Sequence, residues 1–415
     1  MRCTVRGFLN KERKIAKKFD SITRTEDFTK IVYGGGNIEN AGKKLEEILQ
    51  SYTPEKSIYN IYFGEMHGHT YFSDALPDID TYFHVARDLA QLDFCAVSDH
   101  DHGGVGCEEL WGNKWKKTRD AVKKYYCPNR FVPILAYERD SYPWYNNLVV
   151  YFNDYDKEIP LGSIAGEITA KELVELLKRK DAIVIPHTTS SLHSGCDFDK
   201  IPLELMTPLI EVYSRWGTDE YFGNPNPVRT ECRGGFWQDA LKKGAKMGCV
   251  CGSDDHQKMP GMLMYEATHP NLIYPFPGLT AVLVKELTID GIFEALKARR
   301  CYGLMGGRID IDFRINGHYM GEEIVLGGET ERFIWFSVKG DKPVKRVTVI
   351  KNGANYICFH GVPLCSPECI ISDAFVDYSR ETHCDYYYLR VELTDGRFAW
   401  TSPIWINQGK EAEEK

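Results

Sequence analysis

The chain has 415 residues, 43% hydrophobic and 13% aromatic, enough to bury a large core in two domains, which excludes a disordered chain and a small disulfide scaffold. A formal charge of -8 argues against a nucleic-acid partner, since tracking phosphates needs a basic stripe, and favours a small-molecule substrate. No apolar run reaches the length of a membrane span and the stretch 11–18 is too charged for a signal-peptide core, so a soluble, cytoplasmic protein with no membrane partner is expected.

Residues 1–56 are mixed and polar, with one amphipathic helix over 41–52 ahead of Pro54, and read as an N-terminal extension without nameable chemistry. From 57 to about 308, short β-branched and apolar runs alternate with helical stretches at 79–92, 114–126, 169–180, 235–247 and 289–299. Strand followed by helix, repeated, predicts parallel strands covered by helices, an α/β fold. Beyond Arg308 the runs 309–315, 332–338, 346–350, 386–393 and 398–400 alternate with period two, and Asn352-Gly353 and Asp395-Gly396 are hairpin signals. The stretch 309–407 therefore reads as a C-terminal all-β sandwich, and 408–415 as a frayed tail. Thirteen cysteines scattered through a long chain look like reduced thiols.

The chemistry gathers at the ends of the expected strands. The run 58–63 leads into His67-Gly68-His69 and Asp74, and in an extended chain His67 and His69 share a face and can grip one cation. The run 94–98 leads into Asp99-His100-Asp101-His102, 131–137 into Glu138, 182–186 into His187, and 246–253 into Asp254-Asp255-His256. In a parallel α/β barrel such ends converge on one face, where active sites are built. Alone, Asp74 could cap a helix and Glu138 could pair with Arg139. Together, the five imidazoles His67, His69, His100, His187 and His256 and the carboxylates Asp74, Glu138 and Asp254 exceed the needs of one ion. Two or three divalent ions, with zinc, manganese and iron unranked, are expected. Their task would be to ionise water and to polarise a substrate oxygen, so no serine or cysteine nucleophile is needed.

His67-x-His69 with Asp74, the Ser98-Asp99-His100-Asp101 motif, Glu138, Pro186-His187 and Gly252-Ser253-Asp254-Asp255-His256 resemble the successive motifs of the PHP (polymerase and histidinol phosphatase) superfamily. The fuller resemblance is to the PHP-barrel proteins grouped as domain of unknown function 3604, which include carbamate-hydrolase-like members. It rests on the stretches 63–70, 278–282, 292–302 and 400–405. The resemblance implies a distorted (β/α)7 barrel over 57–308. By that similarity His67, His69, Glu138 and Asp254 hold one ion, Glu138 and His187 a second, and Asp74, His100 and His256 a third. One departure stands out: where such proteins offer a further histidine in a Gly-His-x-Asn setting, this chain reads Trp144-Tyr145-Asn146-Asn147, a poorer donor set for the second ion.

For an anionic substrate, Arg139, Arg215, Arg229 and Arg233 stand near strand ends, and Arg215, directly after the run 209–214, is the favoured clamp. Tyr145 and Asn147 join the expected substrate pocket, with Trp144, Trp216, Tyr221 and Phe222 as aromatic wall candidates. Glu138, Asp254 and Arg215 are the expected catalytic residues. Cys358, His360, Cys365, Cys369, His383 and Cys384 could hold a structural zinc, although they lack the Cys-x-x-Cys spacing. The expected activity is that of a metal-dependent hydrolase using metal-activated hydroxide on a small phosphoester. A carboxylic ester, carbamate or amide hydrolase with the same site is the alternative. A catalytically silent metal-binding module is the reading from another class. Nothing in the sequence sets the oligomeric state.

Overall fold

The computed structural model describes residues 56–101, 113–140, 145, 147–159, 170–256, 260–263, 274–327, 331–361, 369–379 and 381–409. The helix expected over 41–52, most of the N-terminal extension and of the tail, and His102, Trp144 and Cys365 lie outside these residues.

The first strands are β1 (Asn60–Glu65), β2 (Phe94–Val97), β3 (Val132–Asp140), β4 (Asn147–Phe152), β5 (Ala182–Pro186), β6 (Leu209–Ser214), β7 (Gly217–Thr218), β8 (Gly248–Cys251), β9 (Gly278–Val284) and β10 (Cys301–Met305). Helices α1 (Ile79–His84), α2 (Asn113–Tyr125), α3 (Ala170–Lys178), α4 (Trp237–Lys243) and α5 (Ile289–Lys297) fall where the helical periodicity placed them. Two have clear entry signals: Asp78 accepts from Thr81 N at α1, and Thr288 accepts from Gly291 N at α5. The rest is nearly all strand: β11 (Asp310–Ile315), β12 (His318–Tyr319), β13 (Glu323–Leu326), β14 (Arg332–Lys339), β15 (Val344–Lys351), β16 (Ala354–His360), β17 (Ile370–Asp377), β18 (Cys384–Leu393), β19 (Phe398–Thr401) and β20 (Ile404–Gln408). The fold is mixed α/β with a strand-rich C-terminal part.

β1, β2 and β3 pair in parallel, as do β6 and β8. The uniformly parallel sheet expected from the sequence is corrected elsewhere. β4 lies antiparallel between β3 and β5, and β9 is antiparallel to both β1 and β10. The link between Asp140 and Asn147 is too short for a helical crossover, which takes roughly a dozen residues, so β4 has to return antiparallel. Its N-terminal end then lies beside the C-terminal ends of its neighbours.

Hydrogen bonding does not stop near Arg308, because β10 pairs with β19 and carries the large sheet on through β18 and β20. A second sheet, β12-β11-β14-β17, lies within the C-terminal part. Asn352 and Gly353, at φ 50° and 81°, make the left-handed turn that joins β15 to β16. Asn316-Gly317, also at positive φ, does the same between β11 and β12, a hairpin signal of the same kind.

Both faces of the central strands are buried. One face supplies Val132, Ile134 and Ala136 from β3, Val149 and Tyr151 from β4, Ile183 and Ile185 from β5, Leu209, Val250 and Val282, all packed with Ile292, Phe293 and Leu296 of α5. Continuing that face by two residues reaches Glu138, His187 and Glu211, and on antiparallel β4 it reaches Asn147. The polar cluster therefore caps an apolar floor.

Glu220 ties β18 and β19 to the segment after β7. It is buried and accepts from Arg390 Nη2 at 2.6 Å, Tyr388 Oη at 2.7 Å and Trp400 Nε1 at 2.7 Å. Removing one partner of such a pair leaves an uncompensated buried charge, so Glu220→Ala is expected to cost about 3–5 kcal/mol in chemical denaturation. A loss under about 1 kcal/mol would show that Arg390 finds another partner or reaches water.

Candidate metal centre

The ligand-bearing loops extend the strand ladders past their ends. Asp254 N donates to His67 O at 2.9 Å, Ser98 N to Gly68 O at 2.9 Å, Glu138 N to Asp99 O at 3.1 Å, and His187 N to Asn147 O at 3.4 Å. This backbone stitching brings His67, His69, Asp74, His100, Glu138, His187, Asp254 and His256 to one place. Their donor atoms form three abutting groups, each able to hold a cation: His67, His69, Glu138 and Asp254; His69, Asp74, His100 and His256; and His67, His187 and Glu211. Glu138 sits at the centre. Its Oε2 lies 3.3 Å from His67 Nε2, 3.2 Å from His69 Nε2 and 3.4 Å from His100 Nδ1. Its Oε1 lies 2.7 Å from His187 Nε2.

The groups differ in depth. His67, His69, Glu138 and Glu211 are fully buried, whereas the side chains of Asp74, His100 and His256 are 31%, 15% and 20% exposed. Solvent therefore meets the cluster at the Asp74-His100-His256 rim.

The donor set fits divalent cations. Glu211 Oε1 is buried and makes no hydrogen bond among the described residues, while Asp254 Oδ1 faces His69 Nε2 at 3.2 Å and His67 Nε2 at 3.5 Å, a crowding of buried acids that costs free energy unless positive charge meets it. Asp254 also holds φ at +50°, an uncommon conformation of the kind that collects at functional sites. Three further buried carboxyl groups pin the loops. Asp99 takes Thr70 N and Thr70 Oγ1, both at 2.7 Å, and Ser73 Oγ at 2.8 Å. Glu65 takes Ser253 N at 2.8 Å and Ser253 Oγ. Asp219 takes Thr189 N at 3.1 Å and Ser190 N at 3.0 Å. Burial pushes the Glu65 carboxyl up to about 8 and that of Asp219 up to about 7.

The electrostatics of the cluster follow from crowding acids and imidazoles out of water. Burial opposes charge on His69, but Asp254 and Glu138 outweigh it and raise its pKa to about 10. Burial is likewise overcome at His67, by Glu211, Asp254 and Glu138, and its pKa stands well above the ordinary range. Burial opposes charge on Glu138 too, yet His100 and His187 hold its carboxyl well below the usual value. The acids thus favour the doubly protonated ring at His67 and His69, and one proton of each ring has to leave before the freed nitrogen can bind a cation. Cation affinity is therefore expected to fall as pH drops and to rise towards pH 10 or so, with proton release on binding. Calorimetric titration of chelator-treated protein in buffers of different ionisation enthalpy measures both effects. Affinity independent of pH between about 6 and 9 would contradict this charge arrangement.

The expected substrate residues divide. Arg215 is buried, 3.7 Å from Asp255 and 5.0 Å over the Trp216 ring, while Trp216 Nε1 donates to Asp254 Oδ2. Arg139 is buried 3.6 Å from Asp101. Asn147 Nδ2 donates to Glu138 Oε1 at 2.7 Å, the amide being assigned so that its donor faces the carboxylate. Tyr145 is buried, with its hydroxyl donated to Leu205 O at 3.3 Å and its ring 6.4 Å from that of Phe198. Arg229 and Arg233 are exposed, and Arg233 lies 3.8 Å over Phe222. Cys358, Cys369 and Cys384 are free thiols and, with His360 and His383, fall in none of the cation-capable groups among the described residues.

Sequence reasoning missed Glu211. A lone acid inside the apolar run Leu209-Ile210-Glu211-Val212-Tyr213, two residues past Leu209 and hence on the same face, was the available signal.

No family model matches the chain. It is 29% identical over 373 residues to an uncharacterized protein of Chlamydia pneumoniae, covering 84% of this chain and 57% of the relative. An uncharacterized protein of Chlamydia muridarum is 26% identical over 378 residues, covering 84% and 58%. The chain thus spans under three fifths of the length of these curated relatives. Among solved structures, a Bacteroides vulgatus two-domain protein containing a predicted PHP-like metal-dependent phosphoesterase superposes with a TM-score of 0.45 and 14% identity, covering 86% of this chain and 97% of that one. Fibronectin(III)-like modules of Clostridium thermocellum CbhA cover 23% of this chain, with a TM-score of 0.17 and 14% identity. Neither superposition is close enough to assign a fold, and the architecture above rests on the chain's own strand pairing.

Proposed function

We propose that the chain is a metal-dependent hydrolase of the PHP type, built on a distorted α/β barrel and acting on a small phosphoester. The observation that carries this reading is one buried glutamate, Glu138, whose two oxygens reach His67, His69, His100 and His187 beside a more exposed rim of Asp74, His100 and His256. The common apolar floor supplied by β3, β4, β5, β6, β8 and β9 supports the barrel.

His67, His69, Glu138 and Asp254 would hold one ion, Asp74, His100 and His256 another at the rim, and Glu138 with His187 a third. Bound divalent ions supply positive charge that lowers the pKa of water and steadies an anionic oxygen. The chain's part is to orient and to exclude. Glu138 and Asp254 accept in fixed directions because Trp216, Asn147 and the imidazoles hold their oxygens. Arg215, beside Asp255, would present its guanidinium plane to an anionic substrate, whereas Arg139, next to Glu138 in β3 and so on the opposite face of the strand, pairs with Asp101. The buried walls keep bulk water to the Asp74 side.

A second reading has its own observation. Each of the two buried arginines has an aspartate within 3.7 Å, which offsets part of the charge a phosphate would need and leaves room for a carboxylic ester, carbamate or amide. Purified protein reconstituted with zinc, manganese or iron and assayed on a phosphomonoester, a phosphodiester, an activated carboxylic ester and a carbamate separates the two. Phosphate release alone supports the phosphoesterase, and acyl or carbamoyl cleavage alone the second reading. No turnover with the metals bound leaves the silent metal-binding module.

A further inference from the structure

We propose that Glu211 is a positioning residue, whose carboxylate accepts the Nδ1–H of His67 and holds that imidazole in the tautomer that leaves Nε2 free for a cation. This rests on the metal-centre reading above. Glu211 Oε2 lies 3.0 Å from His67 Nδ1, and both side chains are fully buried. The other ring nitrogen faces the opposite way: His67 Nε2 is 3.3 Å from Glu138 Oε2, 3.5 Å from Asp254 Oδ1 and 3.3 Å from His69 Nε2. A neutral imidazole has one lone pair and one N–H. A cation held among Glu138, Asp254 and His69 takes the Nε2 lone pair, so the N–H belongs on the Glu211 side, where a carboxylate oxygen accepts it. A carboxylate behind a metal-binding histidine fixes the ring and raises its basicity.

The same carboxylate stands behind a second ligand. His187 Nε2 meets Glu138 Oε1 at 2.7 Å, while its Nδ1 lies 4.0 Å from Glu211 Oε1. Glu211 also belongs to a group, with His67 and His187, whose atoms could surround an ion themselves. That use would turn the His67 lone pair to Nδ1, away from Glu138 and Asp254, and dismantle the larger group. Local packing preserves the pair. A Cβ on Gly252 would lie 2.4 Å from His67 Cβ and 2.5 Å from Glu211 Oε2, so no side chain fits at that position without breaking the contact. Because Glu211 is carried within β6 and not on a loop, its direction is set by the strand.

The test uses the full chain with zinc as probe. Glu211→Gln keeps the volume and an acceptor oxygen but removes the charge, and is expected to weaken zinc binding about 10–100-fold in chelator competition while the zinc stoichiometry at saturation is unchanged. In wild-type protein labelled with 15N-histidine, long-range 1H–15N spectra of the zinc form should show His67 protonated at Nδ1, with its signals assigned by their absence from His67→Gln. Wild-type zinc affinity in Glu211→Gln, a His67 ring protonated at Nε2, or loss of one whole zinc from Glu211→Gln at saturation would each overturn the proposal, the last by making Glu211 a direct ligand. His69→Ala, which touches the cluster but not Glu211, tests the underlying reading. If it binds zinc like wild type, the metal centre itself is wrong, whatever Glu211 does.

Discussion

Asp254→Asn is expected to lower hydrolysis at least about a hundredfold and to release the cation held with His67, His69 and Glu138. Asp254 Oδ1 lies 3.2 Å from His69 Nε2, 3.5 Å from His67 Nε2 and 3.6 Å from His256 Nδ1, so one oxygen serves two adjoining groups. Burial opposes its charge, but His67, His69, His256 and His187 outweigh that and hold the carboxyl well below the usual range. The carboxylate is therefore ionised whenever the cluster is assembled. Asparagine is the informative replacement because it tolerates the left-handed backbone that Asp254 adopts at φ +50°, so the change removes charge with little added strain. Elemental analysis and kcat/KM on the substrate found active above measure the two effects together. Full metal content with unchanged turnover would exclude Asp254 from the site, and with it the grouping on which the hydrolase reading stands.

Much of this centre is legible in the sequence, for a physical reason. In extended chain the side-chain period is two, and loops that follow parallel strands leave at one edge. His67, His100, Glu138, His187 and Asp254 could thus be placed together from the runs that precede them. The strand directions around β4 and β9 were less legible, since apolar runs state burial but not polarity of pairing. The short link before Asn147 was the clue for β4. Tyr145 is ambiguous in the sequence because an aromatic residue beside a strand end satisfies a core and a pocket wall equally well. Glu211 was hidden by its surroundings: it lies inside a strand, one layer below the loops where ligands were sought, and a single acid in an apolar run has no spacing pattern of its own. The continuity of β10 with β19 was unreadable, because the pairing joins segments about a hundred residues apart and depends on edges that local alternation does not encode.

Replacing Glu138 by glutamine should remove more than one ion per chain, a larger change than any other single substitution in the cluster. Its two oxygens face different groups: Oε2 is 3.2–3.4 Å from nitrogens of His67, His69 and His100, and Oε1 is 2.7 Å from both His187 Nε2 and Asn147 Nδ2. An amide cannot satisfy both sides. With its NH2 at the Oε1 position, it confronts the donor of Asn147; with its NH2 at the Oε2 position, it places a donor among three imidazoles whose shared need is an acceptor. Either orientation also removes the negative charge that balances cations on both flanks, and a buried donor facing a donor costs about 1–3 kcal/mol before any metal is considered. Asp254, by comparison, faces its imidazoles through Oδ1 while Oδ2 takes the Trp216 N–H, so its loss should empty fewer positions. Metal-to-protein ratios for Glu138→Gln and Asp254→Asn, measured side by side at saturating zinc with circular dichroism as a check on folding, decide the point. Equal stoichiometry in the two variants would show that Glu138 serves one ion only, and that the three groups do not share it as a common bridge.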